Sequence, residues 1–247
     1  AGGGGLAIID DLTDRVRIDA VRTDFVSNIS HELKTPVGAL AVLAEALADS
    51  DDPEVNRRLA AKMTEEAHRV ASTINDLLEL SRIELDGAGT RETVNVAVLL
   101  DEAVERHRLR AEALGVRLCF GEVTSQGLQA DRLQLISAIS NLVDNAVKYS
   151  DRGDKVLLSA TAEGSWSSIR VTDEGIGIPS RDLDRIFERF YRVDRARSRE
   201  TGGTGLGLAI VRHVATNHGG DVTVESREGE GSTFILRIPG QEGELYD

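Results

Sequence analysis

The chain of 247 residues contains one cysteine, one methionine, one tryptophan and four prolines, and aromatic residues make up only 4% of it. The single thiol, Cys119, excludes an internal disulfide framework and a cysteine-based zinc site, and it suits a reducing compartment. Its apolar neighbours Val116, Leu118 and Phe120 mark it as a thiol packed on a strand rather than a nucleophile. No uninterrupted apolar run reaches the roughly 18–20 residues that a membrane-spanning helix needs, and the N-terminus carries no signal-peptide pattern. The chain opens on Ala1 and its only methionine is Met63, so we expect a fragment of a longer protein. Lysine is confined to positions 34, 62, 148 and 155, which, with abundant Ala, Val and Arg, points to a high-GC bacterial source. A formal net charge of -13 excludes broad nucleic-acid binding, because a phosphate polyanion is repelled on average. Positive charge is concentrated locally instead, at Arg192, Arg195, Arg197 and Arg199.

The length accommodates one large domain or two ordinary ones, each with a real core. From about Leu12 to Asp49, the apolar residues Val16, Val21, Phe25, Ile29, Leu33, Leu40, Leu43 and Leu47 recur at helical spacing on one stripe. Pro36 lies inside it and removes one backbone hydrogen bond, which should bend the helix one turn beyond His31. The segment ADSDDPE at 48–54 reads as a turn, with Asp52 as N-cap and Pro53 in the first helical position. A second amphipathic helix then runs to about Leu85. Such a hairpin cannot bury both faces alone, so pairing with a second copy into a four-helix bundle is expected.

The break DGAGT at 86–90 separates this hairpin from a region that alternates strand and helix patterns. Strands are expected at 93–96, 116–120, 155–162, 168–173, 221–226 and 232–238, and helices at 98–114, 131–149, 181–186 and 205–218. The hairpin-like pairs 155–173 and 221–238 imply an antiparallel or mixed sheet with helices on one face. The expected class is therefore α+β: residues 1–14 a linker remnant, 15–86 the dimerising hairpin, 91–240 an α/β sandwich, and 241–247 a polar tail.

Four polar or glycine-rich blocks interrupt these patterns: FVSNISHELKTPV (25–37), NLVDNAVKYS (141–150), DEGIGIP (173–179) and GGTGLGL (202–208). In the first, His31 sits between polar Ser30 and Glu32 and should face solvent. A neutral imidazole is a good nucleophile, and an adjacent carboxylate can fix its tautomer and take its proton. Thr35 shares its helix face, where a hydroxyl could orient a water. His68, His107, His213 and His218 have no such company and read as surface histidines.

In the second block, Asn141 and Asn145 share one helix face and offer hard amide oxygens suited to Mg²⁺, with Lys148 and Tyr149 a turn on. In the third, Asp173 ends a strand, and Gly175 and Gly177 let backbone approach closely, which suits an exocyclic amine of adenine. The fourth, with Gly203, Thr204, Gly205, Leu206 and Gly207, opens a helix as a phosphate cradle but lacks the lysine of a P-loop. The polar stretch before it suits a mobile lid, and Phe187 and Phe190 read as packing residues that couple the lid to the bundle. Together the blocks describe ATP-dependent phosphorylation of the chain's own histidine.

In this order, the blocks resemble the phosphoacceptor and nucleotide-binding boxes of bacterial sensor histidine kinases over roughly residues 15–240. ARSRETGGTGLGLAIVRHVATNHGG, with KTPVGAL near the histidine, is most similar to the phosphate-sensing branch of actinobacteria. The resemblance implies His31 as phosphoacceptor, Glu32 as assisting acid and Thr35 as a contributor to phosphatase activity. It implies Asn145 as principal Mg²⁺ ligand with Asn141 beside it, Asp173 on adenine in an ATP site of the Bergerat type, and Arg192 on the γ-phosphate with Arg197 and Arg199 as further lid contacts. It also implies a homodimer, a response regulator as partner, and a cytoplasmic position below an upstream sensor or membrane segment absent from this chain. Two rivals are a conformational ATPase of the same nucleotide fold, which has no use for SHELKTP, and a non-catalytic scaffold, in which one of the boxes should have decayed.

Overall fold

The computed structural model describes residues 13–87, 89–124, 127–193 and 203–240. The expected linker remnant to position 12, Arg195, Arg197, Arg199, Gly202 and the tail from 241 lie outside the described residues, as do the side chains of Val16, Val21 and Phe25. By contacts the chain divides into two compact units, Ala1–Thr73 and Ile74–Asp247.

The first unit is built from α1 (Thr13–Ala48) and the greater part of α2 (Pro53–Asp86). The α1 helix continues through Pro36, whose ring is buried. The turn into α2 is capped as its sequence demands: the Asp52 carboxylate accepts the Glu54 amide at 2.8 Å, and Pro53 fills the position where an N–H would have no helical partner. Loss of that cap would cost about 1 kcal/mol. Along α1 the stripe residues Ile29, Leu33, Leu40, Leu43 and Leu47 are only half-buried, and Val37 and Val42 are 52% and 64% exposed.

The second unit joins the last turns of α2 to β1 (Glu92–Asn95), α3 (Val96–Leu114), β2 (Arg117–Val123), β3 (Gly127–Ala130), α4 (Arg132–Tyr149), β4 (Lys155–Glu163), β5 (Trp166–Asp173), α5 (Gly207–Asn217), β6 (Asp221–Arg227) and β7 (Gly231–Pro239). Five strands form a mixed sheet in the order β2-β4-β5-β7-β6, with β2 and β4 parallel and the other neighbours antiparallel. Alternate residues Val156, Leu158, Ala160, Ile169, Val171, Phe234, Leu236 and Ile238 are buried beneath the helices. They meet Leu100 and Ala103 of α3, Leu135, Ile139, Leu142 and Val143 of α4, and Ile210, Val211 and Val214 of α5 in one core. Each large side chain buried here contributes roughly 1.5–3 kcal/mol, and truncating one such as Leu142 to alanine would cost about 2–5 kcal/mol.

The strand expected at 93–96 ends at Asn95, because the Asn95 side chain accepts the Ala97 amide at 2.8 Å and starts α3 two residues before the apolar pattern does. The strand β3 is not among those expected; GLQA alternates, with Leu128 and Ala130 buried, but over only four residues, and it pairs antiparallel with β1. The helix expected at 181–186 is one turn of 3-10 helix, Ser180–Asp182, followed by turns.

Of the four histidines read as surface residues, His68 is exposed, but the others are not. His107 is half-buried 3.8 Å from Asp144, and burial lowers its pKa despite that carboxylate. His213 is half-buried beside Glu84. His218 is 3% exposed: its Nε2 accepts the Asp131 amide at 2.9 Å and its Nδ1 faces the Val214 carbonyl at 2.8 Å. That pattern fixes the neutral tautomer with the proton on Nδ1. In this way His218 ties the end of α5 to the start of α4, where Asp131 caps the helix by accepting the Gln134 amide.

Candidate functional site

In the first unit His31 is exposed on α1, Glu32 is half-buried and Thr35 is exposed. The Thr35 hydroxyl donates to the His31 carbonyl at 3.2 Å, so its lone pairs are what remain to position a water. Pro36 has no amide to donate to the carbonyl of Glu32, so the regular helical ladder is interrupted one turn beyond His31.

In the second unit the three remaining blocks converge on the C-terminal half of α4. Asn141, Asn145, Lys148 and Tyr149 are all half-buried there. The Asn141 amide nitrogen donates to Ser137 at 3.1 Å, which turns its oxygen toward the start of α5. That oxygen lies so close to Gly207 that an added Cβ would sit 2.6 Å from it. Lys148 reaches over Gly203, where a side chain would push its ammonium aside, and that ammonium lies 5.2 Å from the centroid of the Tyr149 ring. The Tyr149 carbonyl accepts the Ile176 amide at 3.2 Å and approaches Gly175 so closely that no side chain fits between them. The asparagine helix is thus in contact with both glycine-bearing blocks.

Asp173 closes β5 with its side chain buried, 6% exposed. One carboxylate oxygen accepts the Gly175 amide at 3.0 Å. Burial pushes the pKa up from 3.8 to about 6, against the opposing hydrogen bonds from the Gly175 and Ser232 backbones and with a small push from the Asp154 charge. The loop that follows is held from the far side too. Gly177, at φ +64, packs on the Arg227 carbonyl, and the Ile178 amide donates to the Ser226 hydroxyl at 2.8 Å. A left-handed φ with backbone against backbone leaves only glycine at position 177. Asp173 is therefore held on a rigid ledge between α4 and the β6–β7 turn.

The glycine-rich segment enters α5 without a side-chain cap on its first amides, which leaves donors for an anion. Thr204 is buried; its hydroxyl oxygen accepts the Leu206 amide at 3.2 Å and its proton goes to Asp76 at 2.6 Å. Gly205, at φ +74, accepts the Phe190 amide at 2.8 Å, and Phe190 itself holds φ 61, the only positive φ outside glycine among the described residues. Phe190 is buried, and Phe187 meets Phe234 edge-on at 6.4 Å. The Tyr191 hydroxyl donates to Asp182 at 2.7 Å while Arg185 lies over its ring. Arg192 is half-buried just beyond this anchor.

These residues fit a nucleotide. A Cβ at Gly175 would meet the Tyr149 carbonyl, and one at Gly207 or Gly203 would displace the Asn141 oxygen or the Lys148 ammonium, while the buried Asp173 carboxylate stands at the mouth of a strand. Among the described residues no group of three or more His, Cys, Asp or Glu side chains could cage a metal ion. The amide oxygens of Asn141 and Asn145 match instead a cation that arrives with phosphates and keeps most of its own water. Asp76, Glu84, Arg189 and Asn217 also border this region and were not marked by the sequence: three sit in ordinary amphipathic helices and Arg189 in a turn, and these partners lie 105 to 134 residues away.

Residues 21–86 match the His Kinase A (phospho-acceptor) domain family, and residues 130–242 match the histidine kinase-, DNA gyrase B- and HSP90-like ATPase family. The sensor-like histidine kinase SenX3 of Mycolicibacterium smegmatis is 50% identical over 94% of this chain and 61% of its own length. The chain thus spans about three fifths of that curated relative. Among solved structures, the mycobacterial sensor histidine kinase MprB is 30% identical over 61% of this chain and 98% of its own, with a TM-score of 0.54. The histidine kinase ThkA, solved with response regulator protein TrrA, shares the fold at 22% identity over 93% of this chain and 65% of its own, with a TM-score of 0.73.

Proposed function

This chain belongs to the sensor histidine kinases, and from that premise we propose that it is an ATP-dependent autokinase whose acceptor is His31. The observation that carries the reading is the convergence of Asn141, Lys148 and Tyr149 with two glycine loops beside the buried Asp173, in a chain that also presents His31 and Glu32 on an accessible helix. Asp173 would accept from the adenine amine, with Gly175 and Gly177 shaping the pocket. Gly203 to Gly207 and Lys148 would hold the phosphates, and Arg192 would neutralise the γ-phosphate. Mg²⁺, held by Asn145 with Asn141 beside it, supplies charge neutralisation on the triphosphate. A ring nitrogen of His31 forms the N–P bond as the bond to ADP breaks, and Glu32 takes the imidazole proton. Positioning and electrostatics do most of this work in phosphoryl transfer generally.

Residues 15–86 would form the dimerisation and phosphotransfer hairpin and 91–240 the catalytic domain. The exposed Val37 and Val42 and the half-buried stripe of α1 support a homodimer, since a second copy would cover them. The phosphoryl group would pass to an aspartate of a response regulator, and Thr35 would help return it to water. No helix among the described residues is long and apolar enough to cross a membrane. We place the chain on the cytoplasmic side of a membrane-anchored sensor. The test is incubation with γ-labelled ATP and Mg²⁺, parent beside His31→Gln. Acid-labile, alkali-stable label on the parent alone is the expected result; equal label on both would overturn the assignment of His31.

A further inference from the structure

The glycine-rich segment is already in contact with an anion, and that anion belongs to the chain itself. Asp76 lies on α2 within Ile74–Asp86, the part of the helix that packs with the nucleotide-binding unit. This segment is held at several points. Leu80 and Ile83 are buried, Glu84 pairs with Arg189 and lies 3.4 Å from His213 Nε2, and Asn217 donates to the carbonyls of Ile83 and Gly87 at 2.9 and 2.7 Å. Gln134, itself buried, donates to the same Gly87 carbonyl at 2.8 Å.

With the helix so fixed, the Asp76 carboxylate accepts the Thr204 hydroxyl at 2.6 Å. Thr204 stands between Gly203, which Lys148 covers, and Gly205, which leads into the uncapped start of α5. A hydroxyl donor, a lysine and a glycine turn before a helix N-terminus form a set that binds phosphate oxygens. The Lys148 charge attracts the Asp76 carboxylate, whereas Glu79 and Asp144 repel it and burial raises its pKa to about 6. The charged contact is thus held in place by the docked helix against an electrostatic and desolvation bias.

We propose that Asp76 occupies a phosphate subsite of the glycine-rich segment, so that docking of Ile74–Asp86 on it and binding of a nucleoside triphosphate exclude one another. The inference rests on the nucleotide reading above. Thr204 cannot give its one proton to both a carboxylate and a phosphate, and Lys148 cannot neutralise both at short range. By linkage, each event weakens the other by the same factor. Adenosine, which has no phosphate, is indifferent to Asp76.

The test is the affinity of the full chain for a Mg²⁺-bound non-hydrolysable ATP analogue and for adenosine, in the parent, Asp76→Asn and Asp76→Ala. Asparagine keeps the size of the side chain and removes its charge. The expected result is analogue binding about tenfold tighter in both variants, within the usual range of coupling between sites, with adenosine unchanged. In the parent, the analogue should also speed amide hydrogen exchange across residues 74–86, and adenosine should not. Unchanged or weaker analogue binding in the variants overturns the proposal. So does an equal gain for adenosine, or a gain that vanishes at high salt as a distant repulsion would. If neither parent nor variants bind any adenine ligand, the nucleotide reading itself falls; if the parent binds the analogue and the variants gain nothing, only the competition falls.

Discussion

Replacing Asp173 with asparagine should make the nucleotide-binding unit more stable and at the same time unable to read adenine. The carboxylate is buried, and its pKa rises from 3.8 to about 6 chiefly because burial disfavours the charge. A folded-state pKa above the unfolded one means that the native chain holds the proton more tightly. The stability linked to this group is therefore fully present below the unfolded pKa and is lost as the pH rises through about 6. The displacement corresponds to at most about 3 kcal/mol of native-state destabilisation at neutral pH. Asparagine keeps an oxygen for the Gly175 amide and carries no charge to desolvate. At about pH 7.5 the variant should be roughly 1–3 kcal/mol more stable, several degrees in Tm for a unit of this size. The advantage should shrink toward about pH 5, where the parent carboxyl is already protonated. With its oxygen committed to Gly175, the variant turns an NH₂ toward the adenine amine, donor against donor. Thermal denaturation at the two pH values, with and without a Mg²⁺-bound ATP analogue, reads both effects. The analogue should raise the Tm of the parent and leave the variant where it was. A variant less stable than the parent at the higher pH would show that the hydrogen bonds to the charge outweigh its desolvation. A ligand shift equal to the parent's would remove Asp173 from the adenine pocket.

Two further outcomes follow from the same geometry. His218 has its folded pKa lowered by burial, so the stability it confers is present above the unfolded value near 6.5 and is lost as the pH falls below it. His218→Ala should cost about 2–4 kcal/mol near neutral pH, by urea denaturation, through the lost packing and the orphaned Asp131 amide, and the gap to the parent should narrow at lower pH; a gap that is constant with pH would contradict the neutral tautomer. Gly207→Ala places a methyl group against the Asn141 amide oxygen and should weaken analogue binding about tenfold while the unfolding midpoint of the unit stays within about 1 kcal/mol of the parent. Unaltered affinity in that variant would separate Asn141 from the phosphate-binding apparatus.

The architecture was legible wherever periodicity or punctuation is strong. Asp52 and Pro53 mark the start of α2 as the capping rules require, and the strands around Asp173 and Phe234 alternate cleanly enough to place their buried faces. The four blocks announced their chemistry because glycines and paired polar residues are expensive to keep in regular elements without a reason. What escaped was tertiary. The strand β3 is four residues long, too short for its alternation to stand out before β1 pairs with it, and α3 starts early because one asparagine side chain outcompetes the strand pattern. His218 reads as one more polar residue before a glycine pair, and nothing local says that Asp131 will bring an amide to its ring from 87 residues away. Asp76 is equally silent: in NDLLELS it looks like the solvated face of a helix, and only the folded chain brings Thr204 to it from 128 residues away.

The hydrogen bond from the Phe190 amide to the Gly205 carbonyl has an evolutionary meaning as well as a mechanical one. It fastens together the two ends of everything between them, so the interval is bounded by a fixed gate whose width does not depend on what it encloses. Lengthening such a closed interval is thermodynamically cheap, about 0.6 kcal/mol for each doubling. Outside Tyr191, Arg192, Gly203 and Thr204, which have partners or roles of their own, the interval can accordingly change in length and charge, in descendants of this chain or by design, while the Gly205 turn and the helix beyond it keep their register. Tuning of turnover is thereby separated from maintenance of the fold, and diversity among relatives should accumulate inside that gate before it reaches the residues that form it.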